Sequence, residues 1–86
     1  MDKDLWLKIS GSINFHVRGL CEEDFVNTNE ELLEEYLKDL EDIDTGGYSY
    51  LDKKSFKFVP LSEEDMEKIT GAFIERVEKK RQKFNI

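Results

Sequence analysis

The sequence predicts a two-layer α+β domain in the order ββαββα: a four-stranded antiparallel sheet built from two hairpins, with two helices on one face. Three observations lead there. Apolar and polar residues alternate from Leu5 to Gly19, two later segments open on helix-capping motifs, and the acidic triplet Glu22-Glu23-Asp24 returns as Glu63-Glu64-Asp65. With 86 residues the chain makes one domain of two ββα-like halves, about 5–44 and 47–84. A chain of this size buries only roughly 60% of its unfolded surface, so its core is thin and a deep catalytic cleft is not expected.

The first hairpin rests on period two. Leu5, Leu7, Ile9, Gly11, Ile13, Phe15, Val17 and Gly19 occupy the odd positions, while Lys8, Ser10, Ser12, Asn14, His16 and Arg18 occupy the even ones. Alternation of this kind describes a strand with one wet face. Fifteen extended residues would span roughly 50 Å, and Ser10-Gly11-Ser12 carries the only breaker in the run. A three-residue loop there pairs Ile9 with Ile13, Leu7 with Phe15 and Leu5 with Val17, keeping one face apolar. The alternative is a single bent strand over 5–19 in a strand-helix-strand-helix order.

Thr28 then opens a helix, with Glu31 three residues on as its capping-box partner. Leu32, Leu33, Tyr36, Leu37, Leu40 and Ile43 form its apolar stripe, and Asp44-Thr45-Gly46-Gly47 is the expected stop. Tyr48, Tyr50, Phe56 and Phe58 share one parity around Asp52-Lys53-Lys54, which predicts a second hairpin closed by Pro60. Ser62 caps the last helix, with Asp65 at the box position and Leu61 stapled to Met66. Met66, Ile69, Phe73, Val77 and Phe84 make its buried face, widened by Ala72 and Ile74. Both acidic triplets suit a first helical turn, one after Ser62 and one after Cys21, so capping accounts for the echo without a ligand.

Ten aromatic residues and 38% hydrophobic residues suffice for a folded core. No apolar run is long enough for a spanning helix or a signal-peptide core, and a single cysteine fits a reducing compartment, so a cytoplasmic location is expected. Ala72 is the one alanine and lysine far outnumbers arginine, a composition associated with AT-rich genomes.

Catalytic and metal motifs are weak. His16, the one histidine, lies on the wet face of its predicted strand, and the three carboxylates beside Cys21 would raise its thiol pKa rather than activate it. Asp42, Asp44 and Gly47 match three positions of a calcium loop, but Gly46 supplies no side-chain ligand and Lys53 stands where a glutamate is required. No cofactor, metal site or enzymatic activity is expected.

Charge distribution is more informative. The formal net charge is −7, and residues 22–44 alone carry −10, against +1 for 1–21, +2 for 45–61 and zero for 62–86. The candidate binding residues are Glu30, Glu31, Glu34, Glu35, Asp39, Glu41, Asp42 and Asp44. If they lay on one sixteen-residue helix of about 24 Å, their spacing would approach the 3.4 Å of phosphates along one DNA strand. Such a helix would carry like charges one turn apart and acids at its negative end, departures from local rules that point to function. In size, acidity and lack of catalytic motifs the chain resembles small phage-encoded anti-defence proteins, including anti-CRISPRs and DNA mimics. The resemblance is compositional, and it implies an inhibitor that occupies a basic, nucleic-acid-binding surface of a protein in the host cytoplasm. Two alternatives stand beside this expectation. One is a nucleic-acid-binding domain using Trp6, Lys8, Asn14, His16, Arg18 and Lys57 on the outer sheet face. The other is a self-associating subunit or homodimer in which the acidic segment meets the basic tail, Arg76 to Lys83.

Overall fold

Residues 3–18 form one helix rather than two strands. The computed structural model describes residues 1–84, in the order α1 (Lys3–Arg18), a short 3-10 helix (Glu22–Val26), α2 (Asn29–Lys38), β1 (Tyr48–Asp52), β2 (Lys57–Leu61) and α3 (Glu63–Lys83). Three α-helices and one two-stranded antiparallel hairpin thus replace the expected four-stranded ββαββα sheet and its two ββα halves. The bent-strand alternative for residues 5–19 falls with it.

The reason lies in a shared spacing. Leu5, Ile9, Ile13 and Val17 are four residues apart, a step that belongs to period two and, nearly, to the helical period as well. Burial separates the two. Ile9 and Ile13 are fully buried, whereas the residues that only a strand would bring inward, Leu7 and Phe15, are 59% and 77% exposed. Trp6 and His16, assigned to the wet face, are half-buried. Asp2 supplies the start signal, its Oδ1 accepting the Leu5 N–H at 2.8 Å.

α3 is the central element and packs against both α1 and α2. Ile69, Phe73 and Val77 are fully buried on its inner face, with Met66, Ala72, Ile74 and Phe84 packed at the margins as the sequence predicts. Tyr36 of α2 stacks on Phe73 at 5.2 Å, and His16 of α1 meets Tyr36 edge-on at 5.3 Å. The Tyr36 hydroxyl lies 3.1 Å from the Ser12 hydroxyl, and burial pushes its pKa up. Three helices therefore close on one aromatic cluster.

All three capping expectations hold. Thr28 Oγ1 accepts the Glu31 N–H while Glu31 Oε1 accepts the Thr28 N–H, and Ser62 and Asp65 exchange the same pair. Asp65 is held below the usual carboxylate range chiefly by the Ser62 N–H. Asp24 Oδ2 accepts the Cys21 N–H at 2.6 Å, so the first triplet starts the 3-10 helix. The echo thus reflects one capping solution used in two different settings rather than a repeated fold.

α2 stops at Lys38, earlier than expected. The Asp39 and Leu40 N–H groups turn to the Tyr36 and Leu37 carbonyls three residues back, and the Ser49 N–H takes the Leu40 carbonyl at 2.8 Å. Glu41 bridges Tyr48 along the outer edge of β1. Glu41, Asp42 and Asp44 consequently lie outside the helix, which leaves Asp39 as the acid at its negative end. Ile43, placed on the apolar stripe by sequence, is 94% exposed.

In the hairpin Tyr48 faces Leu61, Tyr50 faces Val59 and Leu51 faces Phe58. Tyr48, Tyr50 and Leu61 pack on the core. Phe58 therefore shares the outer face with Leu51, not the face of the tyrosines, because the loop Lys53–Phe56 changes the parity across the turn. Asp52 fastens the hairpin. Its Oδ1 accepts the Lys54 N–H, its Oδ2 accepts the Lys8 ammonium at 2.9 Å, and its carbonyl accepts the Phe56 N–H. The Lys8 and Lys54 bonds hold the Asp52 carboxyl below its ordinary pKa.

Gly11 and Gly71 lie within α1 and α3 on exposed faces, and an added methyl would meet nothing within 4 Å at either. Gly11→Ala and Gly71→Ala are each expected to stabilise the chain by about 0.5–1 kcal/mol. Thermal melting checks this, with a rise of a few degrees apiece; a fall at Gly11 would contradict a continuous α1.

Candidate functional site

Glu30, Glu31, Glu34 and Glu35 stand exposed on the side of α2 away from buried Leu32 and Tyr36. Helical geometry brings Glu30 beside Glu34 and Glu31 beside Glu35, one turn apart and of like charge. Glu31 is tied to Thr28 by the capping box. Glu35 reaches Lys38 at 3.9 Å, an exposed contact worth little. None of the other six candidates (Glu30, Glu34, Asp39, Glu41, Asp42 and Asp44) enters an ion pair among the described residues.

The eight acids do not form one track. Asp39 ends α2, Glu41 lies along β1, and Asp42 and Asp44 occupy the following turn. There Asp42 Oδ1 accepts the Asp44 N–H at 3.0 Å, and the Asp42 backbone exchanges hydrogen bonds with Gly46 and Gly47. The phosphate-like spacing predicted for a sixteen-residue helix is replaced by a ten-residue acidic helix of about 15 Å and an acidic turn beyond it. Val26 is exposed just before this segment and Ile43 within its acidic turn.

The basic tail does not neutralise these acids. Arg81 donates to the Phe25 carbonyl at 2.7 Å, the Asn27 carbonyl at 2.9 Å and Asn29 Oδ1 at 3.0 Å, with its guanidinium over the Phe25 ring. Lys80 donates to the Val17 and Arg18 carbonyls at the end of α1, and Arg76 to Ser10 Oγ and the Ala72 carbonyl. Lys80 and Arg81 thus satisfy carbonyls left open at the ends of α1 and of the 3-10 helix, whereas Arg76 ties the middle of α1 to α3. Replacing Arg81 by Met should therefore cost about 2–3 kcal/mol, since three charge-assisted bonds are lost. Urea unfolding measures it, and a loss under about 0.5 kcal/mol would mean that the tail is free to pair with α2.

The alternative nucleic-acid face is not assembled. Trp6 lies under the Lys68 ammonium at 4.4 Å, Lys8 is bonded to Asp52, and His16 packs against Tyr36 and Phe73. Asn14 and Arg18 are exposed on α1 and Lys57 on β2, so the six residues belong to different surfaces. Cys21 is exposed ahead of the 3-10 helix while His16 faces the aromatic cluster. Sequence reading missed the cations of α3 as holders of backbone carbonyls; their crowding in the last two turns was the available signal.

Among the described residues no helix is long and apolar enough to cross a membrane. No family model matches the sequence, and no solved structure matches it. The chain is 46% identical over 78 residues to an uncharacterized protein of Clostridium perfringens, ORF9. The match covers 90% of this chain and 66% of that protein, so the chain spans a little under two thirds of its relative's length.

Proposed function

We propose that this chain is a non-enzymatic, acidic protein-interaction module of the cytoplasm. Its α2 face and the acidic turn after it dock on a basic surface of a nucleic-acid-binding protein, in the place nucleic acid would take, as expected of an anti-defence type of inhibitor. One observation carries the reading: among the described residues Glu30 and Glu34 of α2 and Asp39, Glu41, Asp42 and Asp44 after it enter no ion pair, and Arg76, Lys80 and Arg81 are committed to neutral oxygens. Unmatched charge of one sign on one flank steers encounter with a surface of the opposite sign. Exposed Val26 before α2 and Ile43 in the acidic turn supply apolar contact area that charge alone does not.

Capture from Clostridium perfringens lysate tests it, comparing wild type with the combined variant Glu30→Gln, Glu31→Gln, Glu34→Gln and Glu35→Gln. Glutamine at position 31 can keep the capping box, so folding is preserved. A nucleic-acid-binding protein held by wild type alone, released by salt and displaced by duplex DNA, is the expected result. Equal capture by both proteins, or displacement by neither salt nor DNA, would remove α2 from the interface.

A further inference from the structure

The C-terminal half of α3 carries a cationic stripe that its structural duties do not fully explain. Arg76, Lys79, Lys80 and Lys83 follow the spacing i, i+3, i+4, i+7 and so fall on one side of the helix. Across from them stands Arg18, at the end of α1. Together with Asn14 these five cations line a cleft of about 320 Å³, and no carboxylate contributes to its walls. In a chain with 20 acids and 13 bases, such segregation runs against composition.

Two of the cations are half-buried and bonded to neutral groups. Lys80 meets the Val17 and Arg18 carbonyls at 2.7 and 2.8 Å, and Arg76 meets Ser10 Oγ at 2.8 Å and the Ala72 carbonyl at 3.1 Å. Both therefore bring full positive charge to the cleft without a counter-charge. Lys79, which lines the cleft, also contacts Glu75 at 3.2 Å, an exposed pair that offsets little of its charge. Helix dipoles account for Lys83 at the end of α3 and Arg18 at the end of α1. They do not account for Arg76, two turns before the end of α3, nor for the mutual repulsion of four cations on one stripe.

The geometry points to a binding site for a short chain of phosphates, as in a tripolyphosphate or a nucleoside triphosphate. Arginine forks and lysine ammonium groups on two facing helices suit oxyanions. The stripe from Arg76 to Lys83 is about 10 Å long by helical rise, which matches a compact multiply charged anion better than an extended polymer. The site lies on the α1 flank of α3, whereas α2 packs on the other flank, as the bonds of Lys80 to α1 and of Arg81 to Asn29 show. It is therefore independent of the acidic face.

Thermal melting at constant ionic strength tests the site, with tripolyphosphate, ATP and an oligothymidylate as probes and chloride as the control. Tripolyphosphate at ten times its Kd is expected to raise the Tm of wild type by about 6–11 °C. Arg18→Gln combined with Lys83→Gln should remove most of that shift while keeping the circular dichroism of the fold. Lys53→Gln with Lys54→Gln on the hairpin should leave the shift intact. A comparable shift with ATP would identify a nucleotide source, and a shift with tripolyphosphate alone a free polyphosphate; both support the site. No shift with any probe, equal shifts in the Arg18/Lys83 variant, or binding of the oligothymidylate alone would overturn it.

Discussion

Phe73→Ala is expected to cost about 3–5 kcal/mol, the largest stability effect of any single truncation in this chain. Phe73 is fully buried at the centre of α3, stacked on Tyr36 at 5.2 Å and tilted against His16 at 5.8 Å, so one side chain joins all three helices. Truncation removes the contact area and leaves a cavity that Tyr36, held through its hydroxyl near Ser12, is poorly placed to fill. Small domains have total stabilities of about 5–15 kcal/mol, so this variant should be partly unfolded at 37 °C. Phe15→Ala is the paired control. Phe15 is 77% exposed, and its truncation should change stability by no more than about 0.5 kcal/mol. The two together decide the state of α1, because a hairpin over 5–19 would turn Phe15 inward. Urea unfolding of both variants provides the measurement, and comparable losses at the two positions would refute the helical assignment.

Neutralising Glu30, Glu31, Glu34 and Glu35 should act on binding rather than on folding. With the captured partner in hand, stopped-flow association is expected to slow by about 10- to 1,000-fold at low ionic strength, the range over which steering operates. The difference should shrink toward physiological salt, where the Debye length falls to about 8 Å. Dissociation should change less if Val26 and Ile43 provide the apolar contacts. An association rate that is the same for both proteins, or insensitive to salt, would exclude electrostatic docking through α2. Thermal stability of the variant should stay close to wild type, since the four carboxylates are exposed and two like-charge pairs are relieved.

Local interactions made part of this protein legible. The Thr28–Glu31 and Ser62–Asp65 boxes each close within three residues, so side-chain identity and spacing were enough to place both helix starts. The inner face of α3 was legible for a related reason: its apolar spacing fits no period but the helical one. The second hairpin was found, but its register was not, because one residue more or less in the loop exchanges the faces on which Phe58 and the tyrosines lie. The acidic residues were equally plain in composition, yet their layout depended on where α2 ended. That end is set by the edge of β1, where Leu40 and Glu41 find backbone partners in Ser49 and Tyr48, far enough along the chain to escape a local reading.

By itself, then, the sequence determined the capping of α2 and α3, the buried stripe of α3, the existence of the hairpin at 48–61 and the concentration of negative charge in residues 22–44. Only the tertiary structure decided that residues 3–18 are a helix, that the acids divide between a helix and a turn, and that Lys80 and Arg81 of the basic tail serve carbonyls rather than the acids of α2. The physical reason is the same in each case. A four-residue apolar spacing, an acidic run and a basic run are each compatible with more than one arrangement. The choice is made by the surface they meet: the Ile69-Phe73-Val77 face for α1, the edge of β1 for the end of α2, and the open carbonyls of α1 and the 3-10 helix for Lys80 and Arg81.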